Sequence, residues 1–210
     1  MNHAAVAGIL ASLLTAPAQI AAQAPASGNT PLNAERIESG VVHAPGGDRV
    51  SYSIRLLPVS SFPDLPEPVK AQLTRRGCMI PQSFEAKQPE NVIHGAFRAA
   101  GTQDWAVLCS AAGFTTLYVF FAGHFETPVN LRMQPDSAWL GAEPGSAVFG
   151  SSWGIAVRSV SELRSTPRLR AALNNPDHDA IDDARLERSL TIHYYQAGTW
   201  VSLNPDDYGD

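Results

Sequence analysis

The residues best suited to chemistry lie in one short polar segment, Asn-Asn-Pro-Asp-His-Asp-Ala-Ile-Asp-Asp, at positions 174–183. His178 and Asp182 are four residues apart, so they would share one face of a helix that began early enough. Imidazole and carboxylate groups bind metals and also serve as general acids and bases. His178, Asp179 and Asp182 are therefore the candidate ligand or metal cluster, which would suit a metal-dependent or acid/base hydrolase.

The same residues also have a structural explanation. Asp177 or Asp179 can cap a helix over residues 180–187, because carboxylates are favoured at the first turn of a helix. A tandem His-Asp metal phosphohydrolase would need further histidines, but His94 and His124 fall on or beside predicted strands. Capping is therefore the preferred interpretation, and a metal or acid/base site is the alternative.

Other catalytic patterns in the chain are weak. Gly-Ser-Ser-Trp-Gly at 150–154 formally matches the Gly-x-Ser-x-Gly nucleophile motif, but no hydrophobic strand precedes it and no helix follows it. Trp139 and Trp153 fall on segments broken by Pro and Gly, where they would anchor long loops or, alternatively, line a ligand groove as aromatic loop contacts. No glycine loop could cradle a phosphate. We expect no cofactor.

Composition narrows the range of partners. The chain has 210 residues, with 15 Lys and Arg against 20 Asp and Glu, and a formal net charge of −5. No basic run stands out beyond Arg75-Arg76, whereas a nucleic-acid-binding protein normally presents a basic face to phosphates. We therefore exclude nucleic acid and expect a protein, a glycan or a small ligand as the partner.

The N-terminus predicts export. Residues 4–14 form an uncharged apolar run of signal-peptide length, too short to span a bilayer. Small residues offer cleavage sites at Ala16-Pro17-Ala18 or after Ala22 or Ala24, so we assign residues 1–24 to a signal peptide. The apolar run is not preceded by Lys or Arg, which is a departure from the usual pattern. No later apolar stretch is long enough to cross a membrane, so we expect a soluble mature protein in the periplasm or outside the cell.

Three consecutive strands over residues 91–122 are the clearest structural prediction. Side chains alternate along a strand, and both faces of the middle and third strands are apolar. The middle strand has Trp105, Val107 and Cys109 on one face and Ala106 and Leu108 on the other; the third has Leu117, Val119 and Phe121 opposite Tyr118 and Phe120. Such strands lie inside a sheet that is covered on both sides.

The remaining elements complete a single domain. A helix is predicted before Cys78, with Asp64 as its cap, Pro66 in its first turn and Gly77 at its end. Alternating residues predict strands over 35–43 and 50–56 and a C-terminal hairpin that turns at Gln196-Ala197-Gly198, whereas the pattern weakens over 123–150. We predict an α+β fold, mainly antiparallel sheet with a few short helices, over residues 41–207, after a flexible leader over 25–40.

The two cysteines, Cys78 and Cys109, would form a disulfide in an oxidising compartment. Such a bond would join the end of the predicted helix to the middle strand. Two free buried thiols or a metal pair are the alternatives.

Several segments carry a family resemblance. They are Arg-Gly-Cys-Met-Ile-Pro-Gln at 76–82, Asn-Val-Ile-His-Gly at 91–95, Gln-Asp-Trp-Ala-Val-Leu-Cys-Ser at 103–110, His-Asp-Ala-Ile-Asp at 178–182 and the closing hairpin. Over roughly residues 60–206 the chain resembles a family of uncharacterised exported bacterial proteins. The resemblance implies cysteines at matching positions, which supports the disulfide, but it implies no activity, cofactor or catalytic residue. His178 and Asp179 belong to the recurring pattern, which a site or a structural cap would explain equally well.

Three classes of function compete on these grounds. The favoured one is a non-enzymatic binding or interaction module of the bacterial envelope, because no strong catalytic motif is present. The alternative is a metal-dependent or acid/base hydrolase that uses His178, Asp179 and Asp182. The third is a purely structural component of the envelope.

Overall fold

The computed structural model describes residues 33–43, 47–142 and 145–205. The predicted signal peptide and leader residues 25–32 lie outside the described residues. The described strands are β1 Arg36–His43, β2 Arg49–Pro58, β3 Met79–Gln82, β4 Val92–Gly95, β5 Asp104–Ala111, β6 Phe114–Phe120, β7 Val129–Pro135, β8 Leu140–Gly141, β9 Val148–Ser151, β10 Trp153–Arg158, β11 Ala180–Arg185, β12 Ser189–Gln196 and β13 Thr199–Leu203. The α-helices are α1 Glu67–Arg75, α2 Val160–Ser165 and α3 Pro167–Ala172.

The strands form two sheets. The larger follows the order β7-β6-β5-β3-β2-β9-β8, with β1 paired to β2 and β4 paired to β5, and the smaller follows β10-β11-β12-β13. Every strand pair is antiparallel except β2 with β9. Strands β4, β5 and β6 are the predicted three-strand meander, and β12 and β13 are the predicted hairpin. The α+β fold with mainly antiparallel sheet is therefore confirmed.

The sheets and helices stack in layers around β5. One face of β5, including Val107, packs against Val69 and Leu73 of α1. The other face, including Leu108, packs against Trp153 and other residues of the small sheet. The far face of the small sheet is covered by α2 and α3. Burial on both faces explains why β5 is apolar on both sides from Trp105 to Cys109, as the alternation predicts.

Helix α1 ends in a disulfide-linked corner. The N–H of Gly77 bonds the carbonyl of Thr74, and the N–H of Cys78 bonds that of Leu73, which is the Schellman pattern; Gly77 has φ +70°. Cys78 then bonds Cys109 of β5, with 5.0 Å between their Cα atoms, so the predicted disulfide is confirmed.

The predicted cap of α1 is wrong. Pro66 occupies the N-cap position, and no side chain caps the helix. Asp64 lies two residues too early to reach the first-turn N–H groups. Pro68, inside the first turn, lacks an N–H and so removes one of the groups that would need a partner.

Residues 180–187 do not form the predicted helix. Ala180–Arg185 is β11, which pairs with β10 along its length and with β12 from Ile181 onward. The segment contains good helix formers, but helix propensity is a weak preference that pairing within a sheet overrides. The spacing between His178 and Asp182 therefore does not place them on one helix face.

β1 confirms the strand predicted over 35–43. The assignment of residues 25–40 to a flexible leader is wrong from Arg36 onward, because the whole strand pairs with β2. In the weakly patterned region 123–150, β7 forms an outer strand of the large sheet and has mostly half-buried or exposed side chains, which explains its weak apolar signal.

Asn91 connects the two sheets. Its side chain is buried, and its Nδ2 donates to the carbonyl oxygens of Pro81 at 2.7 Å and of Trp153 at 3.2 Å. Its Oδ1 accepts the N–H of Ile155 at 3.1 Å. One amide side chain thus links β3 of the large sheet to β10 of the small sheet.

Candidate functional site

His178 is buried between the end of α3 and the start of β11, and both of its ring nitrogens face acceptors. Nδ1 lies 2.6 Å from Oδ1 of Asp177, and Nε2 lies 2.9 Å from the carbonyl oxygen of Tyr195. The hydroxyl of Tyr194 is 3.0 Å from Nδ1, and the two rings stack with centroids 4.3 Å apart. Both ring nitrogens of His178 therefore lie within hydrogen-bonding distance of protein oxygens, which leaves neither of them free for a metal.

Asp177 and Tyr194 complete this cluster. The hydrogen bond from His178 lowers the pKa of Asp177 below its ordinary value, and the hydroxyl of Tyr194 also donates to the same carboxylate. Burial raises the pKa of Tyr194. Asp177 therefore stays ionised and Tyr194 stays neutral around pH 7.

Asp179 and Asp182 have separate structural partners. Asp179 accepts the backbone N–H groups of Ala96 and Val160, each at 3.1 Å. Asp182 forms a two-bond ion pair with Arg158 at 2.8 and 2.7 Å, although burial raises its pKa above the ordinary value. In the part of the chain that the structure describes, no three His, Cys, Asp or Glu residues are placed to hold a metal. The structure therefore does not bring the predicted cluster together.

A cleft of about 500 Å³ opens beside His178. Asn174 and Asn175 line it in left-handed conformations, with φ 51° and 60°, because α3 ends in a Schellman pattern whose bonds reach Ala171 and Arg170. Arg98 lines the same cleft with its guanidinium 5.3 Å from the ring centre of Phe121. Its Nη2 donates to the carbonyl oxygen of Ala122 at 3.3 Å. Among the described residues Arg98 forms no ion pair, so its charge and its other N–H groups can serve a ligand.

A larger cleft, about 680 Å³, lies elsewhere, between the 83–91 loop and the small sheet. Asp182 lines it, but its carboxylate is already paired with Arg158. The exposed residues around it include both acidic and basic side chains, Glu85, Glu187 and Arg188 among them. This cleft is larger, but it lacks the fixed polar wall that the His178 cleft has.

Trp139 and Trp153 do not line a ligand groove. Trp153 is fully buried on β10, Trp139 is 5% exposed, and their rings stack with centroids 3.9 Å apart. The guanidinium of Arg132 lies 4.6 Å from the ring centre of Trp139. The prediction of aromatic loop contacts is therefore wrong, because both rings fill the space between the two sheets.

Sequence reasoning missed a buried polar network around Asp183. This carboxylate has no solvent exposure and accepts hydrogen bonds from Trp153 Nε1 at 2.6 Å, Arg132 Nη1 at 2.8 Å and His193 Nε2 at 3.0 Å. Burial acts to raise the pKa of Asp183, but the hydrogen bonds from His193 and Arg132 outweigh it, so the pKa lies below its ordinary value. His193 in turn lies 2.8 Å from Oγ of Ser202. The alternation of Leu190, Ile192 and Tyr194 already implied that His193 faces the opposite side of its strand.

Comparison with known proteins does not identify a family for this chain. No protein-family model, no curated protein and no solved structure matches the chain. Among the described residues, no helix is both long and apolar enough to cross a membrane.

Proposed function

We propose that this chain is an exported binding module that holds a polar, hydroxyl-rich ligand, such as a short glycan, in the cleft beside His178. The observation that carries the proposal is a hydrogen-bonded polar wall that shares its cleft with two asparagine side chains and with a guanidinium that has N–H groups beyond its one bond to a backbone carbonyl. The wall is made of Asp177, His178 and Tyr194, and the other groups are those of Arg98 and the two asparagines of the α3 terminus.

The rigid wall favours binding on entropic grounds. Asp177, His178 and Tyr194 are hydrogen-bonded to one another and to backbone, so their rotamers are held before a ligand arrives. A site that is ordered in advance loses less side-chain entropy on association, which favours affinity. Amide groups both donate and accept hydrogen bonds, as sugar hydroxyls do, and Arg98 adds several donors.

The contacts of His178 favour binding over hydrolysis in this cleft. A general base needs a free lone pair within hydrogen-bond reach of the substrate. Both nitrogens of His178 are occupied by protein oxygens, and the lowered pKa of Asp177 makes it a poor proton donor at pH 7. Export is supported by the apolar run at 4–14 and by the disulfide, a bond typical of oxidising compartments.

The test is a binding screen of the oxidised chain against a panel of short neutral and acidic glycans, followed by calorimetry on any hit. Replacing Arg98 with Gln should weaken the hit roughly 10- to 150-fold, because a hydrogen bond to a charged group contributes about 1.5–3 kcal/mol. Arg75→Gln, at an exposed position on α1, is the matched control and should bind like the wild type. The absence of any glycan hit, or equal affinity in Arg98→Gln, would count against the proposal.

A further inference from the structure

Three side chains of the small sheet form a directed hydrogen-bond relay. Asp183 lies on β11, His193 on β12 and Ser202 on β13, with His193 and Ser202 directly opposite each other in the register. The carboxylate of Asp183 can only accept, so His193 donates from Nε2. In the neutral ring, Nδ1 then holds a lone pair, which accepts the hydroxyl proton of Ser202 at 2.8 Å.

We propose that Ser202 is a nucleophile, and that this relay hydrolyses carboxylic esters presented at the outer edge of β13. The inference goes beyond the binding role of the His178 cleft and does not rest on it. The relay has the elements of a serine–histidine–aspartate triad: a hydroxyl bonded to a base, and a base bonded to an orienting carboxylate. The two imidazole nitrogens are exchanged relative to the usual arrangement.

The proton and electron movements balance without any group beyond substrate and water. Oγ of Ser202 attacks the ester carbon as its proton moves to Nδ1 of His193, and the carbonyl electron pair moves onto oxygen. When that pair returns, the bond to the alcohol oxygen breaks, and the leaving group takes the proton from His193. Water then attacks the acyl-serine and transfers its proton to His193. When the second intermediate collapses, the bond between the acyl carbon and Oγ breaks, His193 returns its proton to Oγ, and the carboxylic acid is released.

Because Ser202 lies on an edge strand, a substrate can reach its hydroxyl, and its backbone N–H is free to stabilise the negative charge that develops on the ester oxygen. Ser202 is exposed, and among the described strands β13 pairs only with β12. The hairpin closes through a two-residue turn after the Gln196–Thr199 pair, so alternation makes His193–Ser202 a non-hydrogen-bonded pair with close side chains. The backbone N–H of Ser202 therefore points outward, beside its own Oγ, where it can stabilise an oxyanion.

The residues behind His193 act as positioning residues. Asp183 holds the ring, and Arg132 and Trp153 hold Asp183 through their own hydrogen bonds. Arg132 comes from β7 of the large sheet, so the relay depends on the packing of one sheet on the other.

A fluorophosphonate probe and p-nitrophenyl acetate test the proposal on the oxidised full chain. The wild type should be labelled at Ser202, located by peptide mass, and should hydrolyse the ester. Ser202→Ala should lose both signals, and His193→Gln should slow hydrolysis roughly 10²- to 10⁴-fold, the usual contribution of a general base. Ser189→Ala, an exposed serine on the same face of the sheet, is the matched control and should behave like the wild type.

Two results would overturn the assignment. One is a wild-type chain that is neither labelled nor active above buffer. The other is a Ser202→Ala variant that matches the wild type in labelling or turnover. Ser202 is exposed, so its replacement leaves the core intact, and thermal unfolding of each variant checks this.

Discussion

Reduction of the Cys78–Cys109 disulfide should lower the free energy of unfolding by about 3.7 kcal/mol. The bond closes a loop with a sequence separation of 31, and the chain-entropy relation for a loop of that size gives about 12 cal/mol/K, or about 3.7 kcal/mol at 25 °C. The two sulfurs lie in the α1 side of the core and are apolar as thiols, so reduction should leave the surrounding packing in place.

Urea unfolding of the oxidised and reduced chains measures this difference directly. The reduced unfolded chain is more expanded, so the slope of free energy against urea should also rise. In a thermal scan the melting temperature should fall by about 7–15 °C for a domain of this size. A double Cys78→Ala, Cys109→Ala variant, compared with the reduced wild type, separates the cross-link from side-chain packing. A loss below about 1 kcal/mol, with unchanged slope, would refute the view that the bond stabilises by restricting the unfolded chain.

Three further predictions concern backbone conformation and buried polar groups. Gly77→Ala should lower the free energy of unfolding in urea by about 1–2 kcal/mol, because φ is +70° at Gly77, although the space for a Cβ is open. Gly77→Asn should recover part of this loss, and an unchanged urea midpoint in Gly77→Ala would contradict the reasoning. Asn91→Ala should lower the free energy of unfolding by about 3 kcal/mol. It should also speed hydrogen exchange at the Ile155 amide, because that N–H loses its acceptor; exchange as slow as in the wild type would contradict this. Asp183→Asn should cost about 3 kcal/mol at pH 7. Folding lowers the pKa of Asp183, so its contribution is complete above the unfolded value of about 3.9 and is lost as pH falls through the folded value. The difference in unfolding free energy between wild type and Asp183→Asn should therefore narrow as the pH falls from about 5 through the lowered pKa of the folded chain, and a constant difference would exclude this linkage.

The strands with a strong local pattern could be predicted from the sequence. β5 is apolar on both faces because a layer covers each of them, and this alternation is visible in Trp105, Ala106 and Val107 alone. The hairpin of β12 and β13 was equally clear, because Ala197-Gly198 allows the left-handed turn that a two-residue connection needs. In both cases neighbouring residues determine the backbone.

The candidate sites could not be predicted in the same way. The sequence predicted a helix over 180–187, on which His178 and Asp182 would share a face if it began early enough. Residues 180–185 instead form the strand β11, whose hydrogen bonds come from β10 and β12. The cleft beside His178 also includes Arg98, which lies about 80 residues earlier, in the loop between β4 and β5. The spacing of residues within a short segment cannot predict a contact between segments that are distant in the sequence.

By itself, the sequence determined the core meander, the end of α1 and the C-terminal hairpin, because periodicity and turn chemistry act over a few residues. Two cysteines allow only one pairing, so the sequence also favoured the Cys78–Cys109 disulfide, with free thiols or a metal pair as the alternatives. Only the tertiary structure decided that residues 180–185 are a strand, that Trp139 and Trp153 are buried, and that Asp183 meets His193 and Arg132. These outcomes depend on which strands lie side by side and how the two sheets stack. That choice is made by burial and hydrogen bonding summed over distant segments, so a local pattern cannot reveal it.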